Sequence, residues 1–191
     1  MIQFITTHKK VHIAELWRLP DCGRPYRAET YFQLYKAAVA AEKFPEGTAV
    51  NFSVPAVAAG LLTAGLEAKQ AGLPVNRIIA ASNENRVLTD FLRTGVYAPR
   101  QPQPTASPLL DVGTYPEAER LRELPEETLR ETFAAYSCPE RRYRNMREKV
   151  WEAWGVSLAN STAVAYVALQ DHRCVTADGL HAIVLSLERP E

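Results

Sequence analysis

Asn51-Phe52-Ser53-Val54-Pro55-Ala56-Val57-Ala58-Ala59-Gly60-Leu61-Leu62-Thr63-Ala64-Gly65 is the stretch on which the fold turns. Its composition changes midway. Val50 to Val54 is a short apolar, β-rich run that reads as a buried strand, and Pro55 stops it because proline cannot donate to a ladder. From about Ala58 to Ala71 the residues are Ala, Leu and Gly, a buried helix that Gly72 ends. The uncharged stretch from Thr48 to Leu66 has the length of a membrane span. Asn51, Ser53 and Pro55 interrupt it, so a strand followed by a helix is the better reading.

Outward from this unit the same alternation continues. Val75 to Ala81 reads as the next strand. Asn83 is a fitting cap for a helix through Arg93, whose Val87, Leu88, Phe91 and Leu92 share one face before Gly95. Upstream, Tyr31, Leu34, Tyr35, Ala38 and Val39 recur at helical spacing between Glu29 and Lys43. Strand, helix, strand and helix with short links imply a parallel α/β sheet. Pro99, Pro102, Pro104 and Pro108 make Ala98 to Pro108 an extended loop. Helices are expected over Glu117 to Arg122, Glu126 to Tyr136, Glu140 to Trp154 and Ser161 to His172, and a buried strand over Ala182 to Leu187. Residues 1–28 follow neither period: Trp17, Leu19, Pro20, Gly23 and Pro25 stand in no repeating pattern, and the segment is left unassigned.

Composition narrows the function. An apolar share of 47% with 23% charged residues is that of a folded globular chain, and 22 basic residues balance 22 acidic ones. No net field draws it to nucleic acid or an anionic membrane. The basic run Arg141, Arg142, Arg144, Arg147 and Lys149 is interleaved with Glu140, Glu148 and Glu152, as on a solvated helix face. Cys22, Cys138 and Cys174 lack metal-ligand spacing, and His8, His12, His172 and His181 are scattered, so no metal is assigned. Reduced thiols and the brief apolar stretch of Met1 to Thr7 suit a cytoplasmic chain without an export signal. There is no Gly-x-Ser-x-Gly turn and no Walker-type run.

A strand-to-helix turn like that of Ala56 to Gly60 can hold a phosphate on backbone N–H groups, or it can simply pack Ala and Gly closely. Here the sequence resembles the threonine synthases. That family carries a strand ending Asn-Phe-Ser-Val-Pro, a Ser-Gly-Asn-Phe-Gly phosphate loop and a Leu-Thr-Ala-Gly helix, and this chain has Asn51 to Pro55 and Leu62 to Gly65. Gly72-Leu73-Pro74, Arg77 to Ala81, Ser82-Asn83-Glu84-Asn85, Phe91-Leu92 and Gly95-Val96-Tyr97 continue the match. Ser107 with Leu110-Asp111-Val112, Glu119-Arg120-Leu121, Thr162 to Tyr166, and Ser186 with Pro190 follow in the family's order. The resemblance covers roughly Tyr31 to Glu191, making residues 29–191 a threonine-synthase-like carboxy-terminal domain.

The resemblance implies a tryptophan-synthase-β-like fold, that of the fold type II pyridoxal-phosphate enzymes. It implies pyridoxal phosphate as cofactor and the conversion of O-phosphohomoserine to threonine and phosphate. The departures count against both. Ala56, Val57, Ala58 and Ala59 replace the loop's hydroxyl and amide side chains, with Gly60 kept, and β-branched Val57 would resist a positive φ. Leu187 stands where the family places a threonine facing the pyridine nitrogen. None of Lys9, Lys10, Lys36, Lys43, Lys69 or Lys149 has the context of the family's Schiff-base lysine. No catalytic residue is assigned. Three readings stay open: a threonine-synthase homologue inactive alone, a non-catalytic module that keeps the fold to bind a protein or a small amino-acid ligand, and a remnant that folds poorly. A homodimer or a complementing amino-terminal half is the expected partner.

Overall fold

A computed structural model describes residues 2–8, 10–18 and 27–190. Among these the elements run β1 (Phe4–His8), β2 (Val11–Glu15), α1 (Ala28–Ala40), β3 (Val50–Pro55), α2 (Ala59–Gln70), β4 (Val75–Ser82) and α3 (Val87–Thr94). They continue as α4 (Glu119–Arg122), α5 (Glu126–Thr132), β5 (Phe133–Ser137), α6 (Glu140–Trp154), α7 (Asn160–Thr176) and β6 (His181–Ser186). The strands form one sheet in the order β1-β2-β6-β3-β4-β5, with β1 antiparallel to β2 and every other neighbouring pair parallel.

The central strands are covered on both faces, and their side chains alternate between two apolar layers. Val50, Phe52, Val54, Ile78, Ala80, Ile183 and Leu185 pack with Tyr31, Leu34, Leu61 and Leu88 on one face. Ile79, Ala81, Ala182 and Val184 pack with Tyr143, Val150, Val164 and Leu169 on the other. Continuous apolar runs in the sequence are therefore what this architecture requires, since each strand has no wet face. Ser53 is tolerated in the second layer because its hydroxyl donates to the Ala165 carbonyl at 2.7 Å. Gly65 marks where α2 lies closest to its neighbours. A Cβ there would come within 2.6 Å of Ile78 Cδ1 and 2.9 Å of the Tyr31 ring.

The β3-α2-β4-α3 unit, the long α6 and the extended Ala98 to Pro108 loop appear as read from sequence, to within a few residues at their ends. Two expectations are corrected, and part of the unassigned segment 1–28 takes regular structure. The helix expected over Glu126 to Tyr136 stops at Thr132, and Phe133–Ser137 is an edge strand on β4 with Ile78 against Phe133. Ladder hydrogen bonds and burial of Phe133 outweigh the helical preference of Ala134 and Ala135. Asn83 does not cap α3, which begins at Val87 with Arg86 at its cap position. Instead the Asn83 Oδ1 accepts the Asn85 N–H at 2.8 Å, an Asx turn that bends the chain before the helix starts. Finally, Phe4–His8 and Val11–Glu15 are strands, and β2 sits inside the sheet beside β6. All of Val11 to Glu15 is buried, which is why period-two alternation could not reveal it. Cys22 lies outside the described residues.

Candidate functional site

In a parallel α/β sheet ligands gather beyond the carboxyl ends of the strands. The β3–α2 turn stands there, and its backbone is largely committed to the fold. The Ala56 N–H donates to the Ala81 carbonyl at 2.8 Å, that of Val57 to Pro55 at 2.8 Å and that of Leu61 to Ala58 at 3.3 Å. The Ala56 carbonyl accepts the Tyr115 hydroxyl at 2.7 Å. Tyr115 is itself buried and fixed by Tyr97, whose hydroxyl accepts the Tyr115 N–H at 2.7 Å. Burial holds the Tyr115 phenol well above its ordinary pKa, so it remains a donor.

Val57 is half-buried and packs against both apolar layers of the sheet. The turn contains no residue with positive φ, so the β-branched side chain sits there without backbone strain. Ala59 and Gly60 open α2, where helix geometry leaves N–H groups without partners in the helix. A Cβ added at Gly60 would meet nothing within 4 Å. Those backbone donors are what the turn offers an anion; Ala56, Val57, Ala58 and Ala59 add no polar side chain.

Leu187 follows β6 directly, and β6 lies beside β3 with Ser53 against Val184, so Leu187 reaches the same end of the sheet as Ala56. It is buried in the layer that also holds Ala56 and Tyr115. The neighbouring late-motif residues contact one another: the Thr162 hydroxyl donates to Ser186 Oγ at 3.0 Å, and Glu188 Oε1 accepts the Ser161 N–H at 3.1 Å at the start of α7.

The lysines with resolved bonds lie at the opposite, amino ends of the strands. Lys10 Nζ donates to the Gly179 carbonyl ahead of β6 at 2.8 Å, and Lys69 Nζ to the Asn76 carbonyl at the start of β4 at 3.0 Å. Lys69 is in the last turn of α2, about 15 Å along its axis from the β3–α2 turn. Lys36 and Lys149 are exposed on α1 and α6. No described lysine shares a hydrogen bond or ion pair with Ala56 to Gly60. To the phosphate of pyridoxal phosphate the turn offers the backbone N–H groups that open α2 and no polar side chain, and no described lysine is bonded there.

The β4–α3 turn beside it keeps its polar residues, and all of them are bonded. Asp111 Oδ1 accepts from Asn83 Nδ2 at 2.8 Å, Asn85 Nδ2 at 2.9 Å and the Thr105 hydroxyl at 2.7 Å, while Oδ2 accepts the Thr105 N–H at 2.8 Å. Asn85 also pairs with the Gln103 backbone in both directions, at 2.9 and 2.7 Å. The network pins the proline-rich loop over the strand ends. Sequence reasoning named Asn83, Asn85 and Asp111 as matched residues without pairing them. It missed Tyr115 and Thr105, for which no local pattern gives a signal.

No family model matches the chain. Over 122 residues, 62% of its length, it is 39% identical to the threonine synthase of Escherichia coli, and it spans 28% of that protein. It is 45% identical over 74 residues to the threonine synthase of Corynebacterium glutamicum, spanning 15% of it. Among solved structures, the PLP-bound threonine synthase from Brucella melitensis superposes with a TM-score of 0.71 at 25% identity, covering 82% of this chain and 39% of that one. The Escherichia coli threonine synthase superposes with a TM-score of 0.66 at 30% identity, covering 82% and 36%. A threonine deaminase, at 16% identity and a TM-score of 0.62, shares the fold alone. Over the part of those enzymes that it spans, the chain has the threonine-synthase-like fold of the fold type II pyridoxal-phosphate enzymes.

Proposed function

We propose that this chain is a threonine-synthase-like module that does not by itself convert O-phosphohomoserine to threonine and phosphate, and that it keeps the fold as a binding module. One observation carries the reading. At the turn where the family holds its cofactor phosphate, Val57 is packed into both apolar layers and the Ala56 and Val57 N–H groups are already bonded within the chain. The placement of Lys10 and Lys69 at the far end of the sheet supports it. Residues 29–191 form the threonine-synthase-like unit in this reading. A second copy, or a chain that brings a lysine to the turn, is the proposed partner. No helix among the described residues is long and apolar enough to cross a membrane. Cys138 and Cys174 are free thiols, in keeping with the proposed reduced, cytoplasmic setting.

The test is phosphate release from O-phosphohomoserine by the purified, folded chain with excess pyridoxal phosphate. The expected result is no release above the chain-free control. Steady release that scales with chain concentration would overturn the reading; release only when a lysine-bearing partner chain is added would identify the complemented form.

A further inference from the structure

At the amino end of the sheet, away from the β3–α2 turn, His12 on β2 and His181 on β6 meet edge to edge. His12 Nε2 lies 3.1 Å from His181 Nδ1, and the two ring planes are 13° apart. On the other side of its ring, His12 Nδ1 lies 3.2 Å from Thr6 Oγ1. His12 is 1% exposed, and both its nitrogens are engaged within the chain. His181 is only half-buried, and its Nε2 has no partner among the described residues. With the Thr6 hydroxyl donating to His12 Nδ1 and His12 Nε2–H to His181 Nδ1, the N–H left over is that of His181 Nε2, which faces away from the pair.

Positive charge surrounds this N–H. Lys10 Nζ donates to the Gly179 carbonyl at 2.8 Å and Arg173 Nη2 to the Leu180 carbonyl at 2.6 Å, so both hold the two residues that precede His181. Arg173 Nη2 also lies 3.4 Å from the Lys10 carbonyl oxygen, and the buried Arg173 Nε has no partner. Lys43 directly precedes Phe44, whose ring centroid is 5.3 Å from that of His181 and 5.8 Å from that of His12. The Lys43 amine has no hydrogen bond or ion pair with any described residue. Asp178 is the carboxylate that acts on Arg173, and it is already occupied. Its Oδ1 accepts the Leu180 N–H at 2.7 Å, while Oδ2 accepts from Asn51 Nδ2 at 2.7 Å and Asn76 Nδ2 at 3.2 Å and lies 3.6 Å from His172 Nε2. Burial first, and then His181, Lys43 and Arg173, hold the His12 imidazole down at about 4; burial first, and then Lys10 and Arg173, lower that of His181. The charges that act most on the pair are therefore all positive, in a chain whose 22 basic and 22 acidic residues balance.

We infer that this cluster binds a small tetrahedral oxyanion on His181 Nε2–H and the Lys10 and Lys43 amines, and takes it up together with a proton on the His12–His181 pair. An anion offsets the field that keeps the pair neutral, so binding and protonation favour each other. The pair can accept one proton and keep its bond, since a protonated His12 donates from both nitrogens, to Thr6 Oγ1 and to His181 Nδ1. A second proton would set two N–H groups against each other across 3.1 Å. The site lies at the other end of the sheet from the β3–α2 turn and does not rest on the reading of that turn.

The experiment is an NMR titration of the full chain with sodium sulfate, whose charge is constant over the range, at about pH 7.5 and about pH 5.5, with ionic strength held by sodium chloride. Saturable shifts at residues 10–12, 43–44 and 179–182 are expected, with sulfate bound more tightly at the lower pH by about threefold or more. Acetate, planar and singly charged, should bind about tenfold more weakly. Lys43→Ala removes an amine that bonds nothing in the chain, so it should fold, and it should weaken sulfate by about tenfold; His181→Gln should remove the pH dependence. Methyl phosphate in a further arm assigns the source: binding as tight as sulfate indicates an ester-borne group and weaker binding a free ion, and both support the site. The proposal is overturned if sulfate gives no saturable shift at these residues up to about 20 mM, if its affinity is the same at both pH values, or if Lys43→Ala binds it unchanged.

Discussion

The β3–α2 and β4–α3 turns stand at the same end of one sheet, on adjacent strands, and have been treated in opposite ways. The first carries Ala56-Val57-Ala58-Ala59 and spends its donors inward, on Ala81 and Pro55. The second keeps Asn83 and Asn85, whose side-chain amides both donate to Asp111 on a loop nearly thirty residues away. Buried polar residues that hold the fold are thus in place, whereas polar side chains are missing from the turn at which the resemblance puts a phosphate. A chain can lose the second kind with little effect on stability, since Val57 gains apolar contact. It cannot lose the first kind without leaving buried donors unpaired.

That difference is open to measurement. The largest effect expected is from Asp111→Ala, which strands four donors at once; unfolding by urea should show a loss of about 4 kcal/mol. A loss under about 1 kcal/mol would mean that the network is decoration. Next is acid. His12 lies outside both turns, at the amino end of the sheet, where burial first, and then His181, Lys43 and Arg173, lower its pKa from 6.5 to about 4. The unfolded chain then binds the proton more readily, so stability is complete above about pH 6.5 and falls as pH drops toward 4, by at most roughly 3 kcal/mol. Urea midpoints taken across that window should decline, and His12→Gln should flatten the decline; an unchanged slope in that variant would move its origin elsewhere. Gly113→Ala forces a Cβ against the Arg100 carbonyl and should cost about 2 kcal/mol, confined by hydrogen exchange to residues 98–113. Smallest is Val57→Ala, at about 1 kcal/mol, because the side chain is only half-buried.

Much of this architecture is legible in the sequence, and the reasons the rest is not are physical. The β3-α2-β4-α3 unit announces itself because each strand is a short, largely apolar segment bounded by Pro55 or Pro74 and each helix ends at Gly72 or Gly95. Gly72 and Gly95 both take positive φ, as helix stops of this kind require. β5 was hidden because Phe133-Ala134-Ala135-Tyr136 has no strong local preference, and pairing with β4 decides its state. β1 and β2 were hidden because β2 is buried throughout, and its partner β6 lies about 170 residues later in the chain. For the candidate site, Ala56 to Gly60 and Leu187 could be found only through resemblance to a family motif, since their own chemistry is that of a packed turn. The Asp111 network and the Tyr115 bond to Ala56 join residues far apart in sequence, beyond the reach of any local pattern.

The most direct measurement is an absorbance titration of the folded chain with pyridoxal phosphate, followed by borohydride reduction and mass spectrometry to locate any modified lysine. No saturable aldimine band and no single labelled site are expected. A stoichiometric adduct on one lysine, with a phosphate-dependent affinity that falls when Gly60 is substituted, would contradict it and show that the β3–α2 turn still holds its ligand.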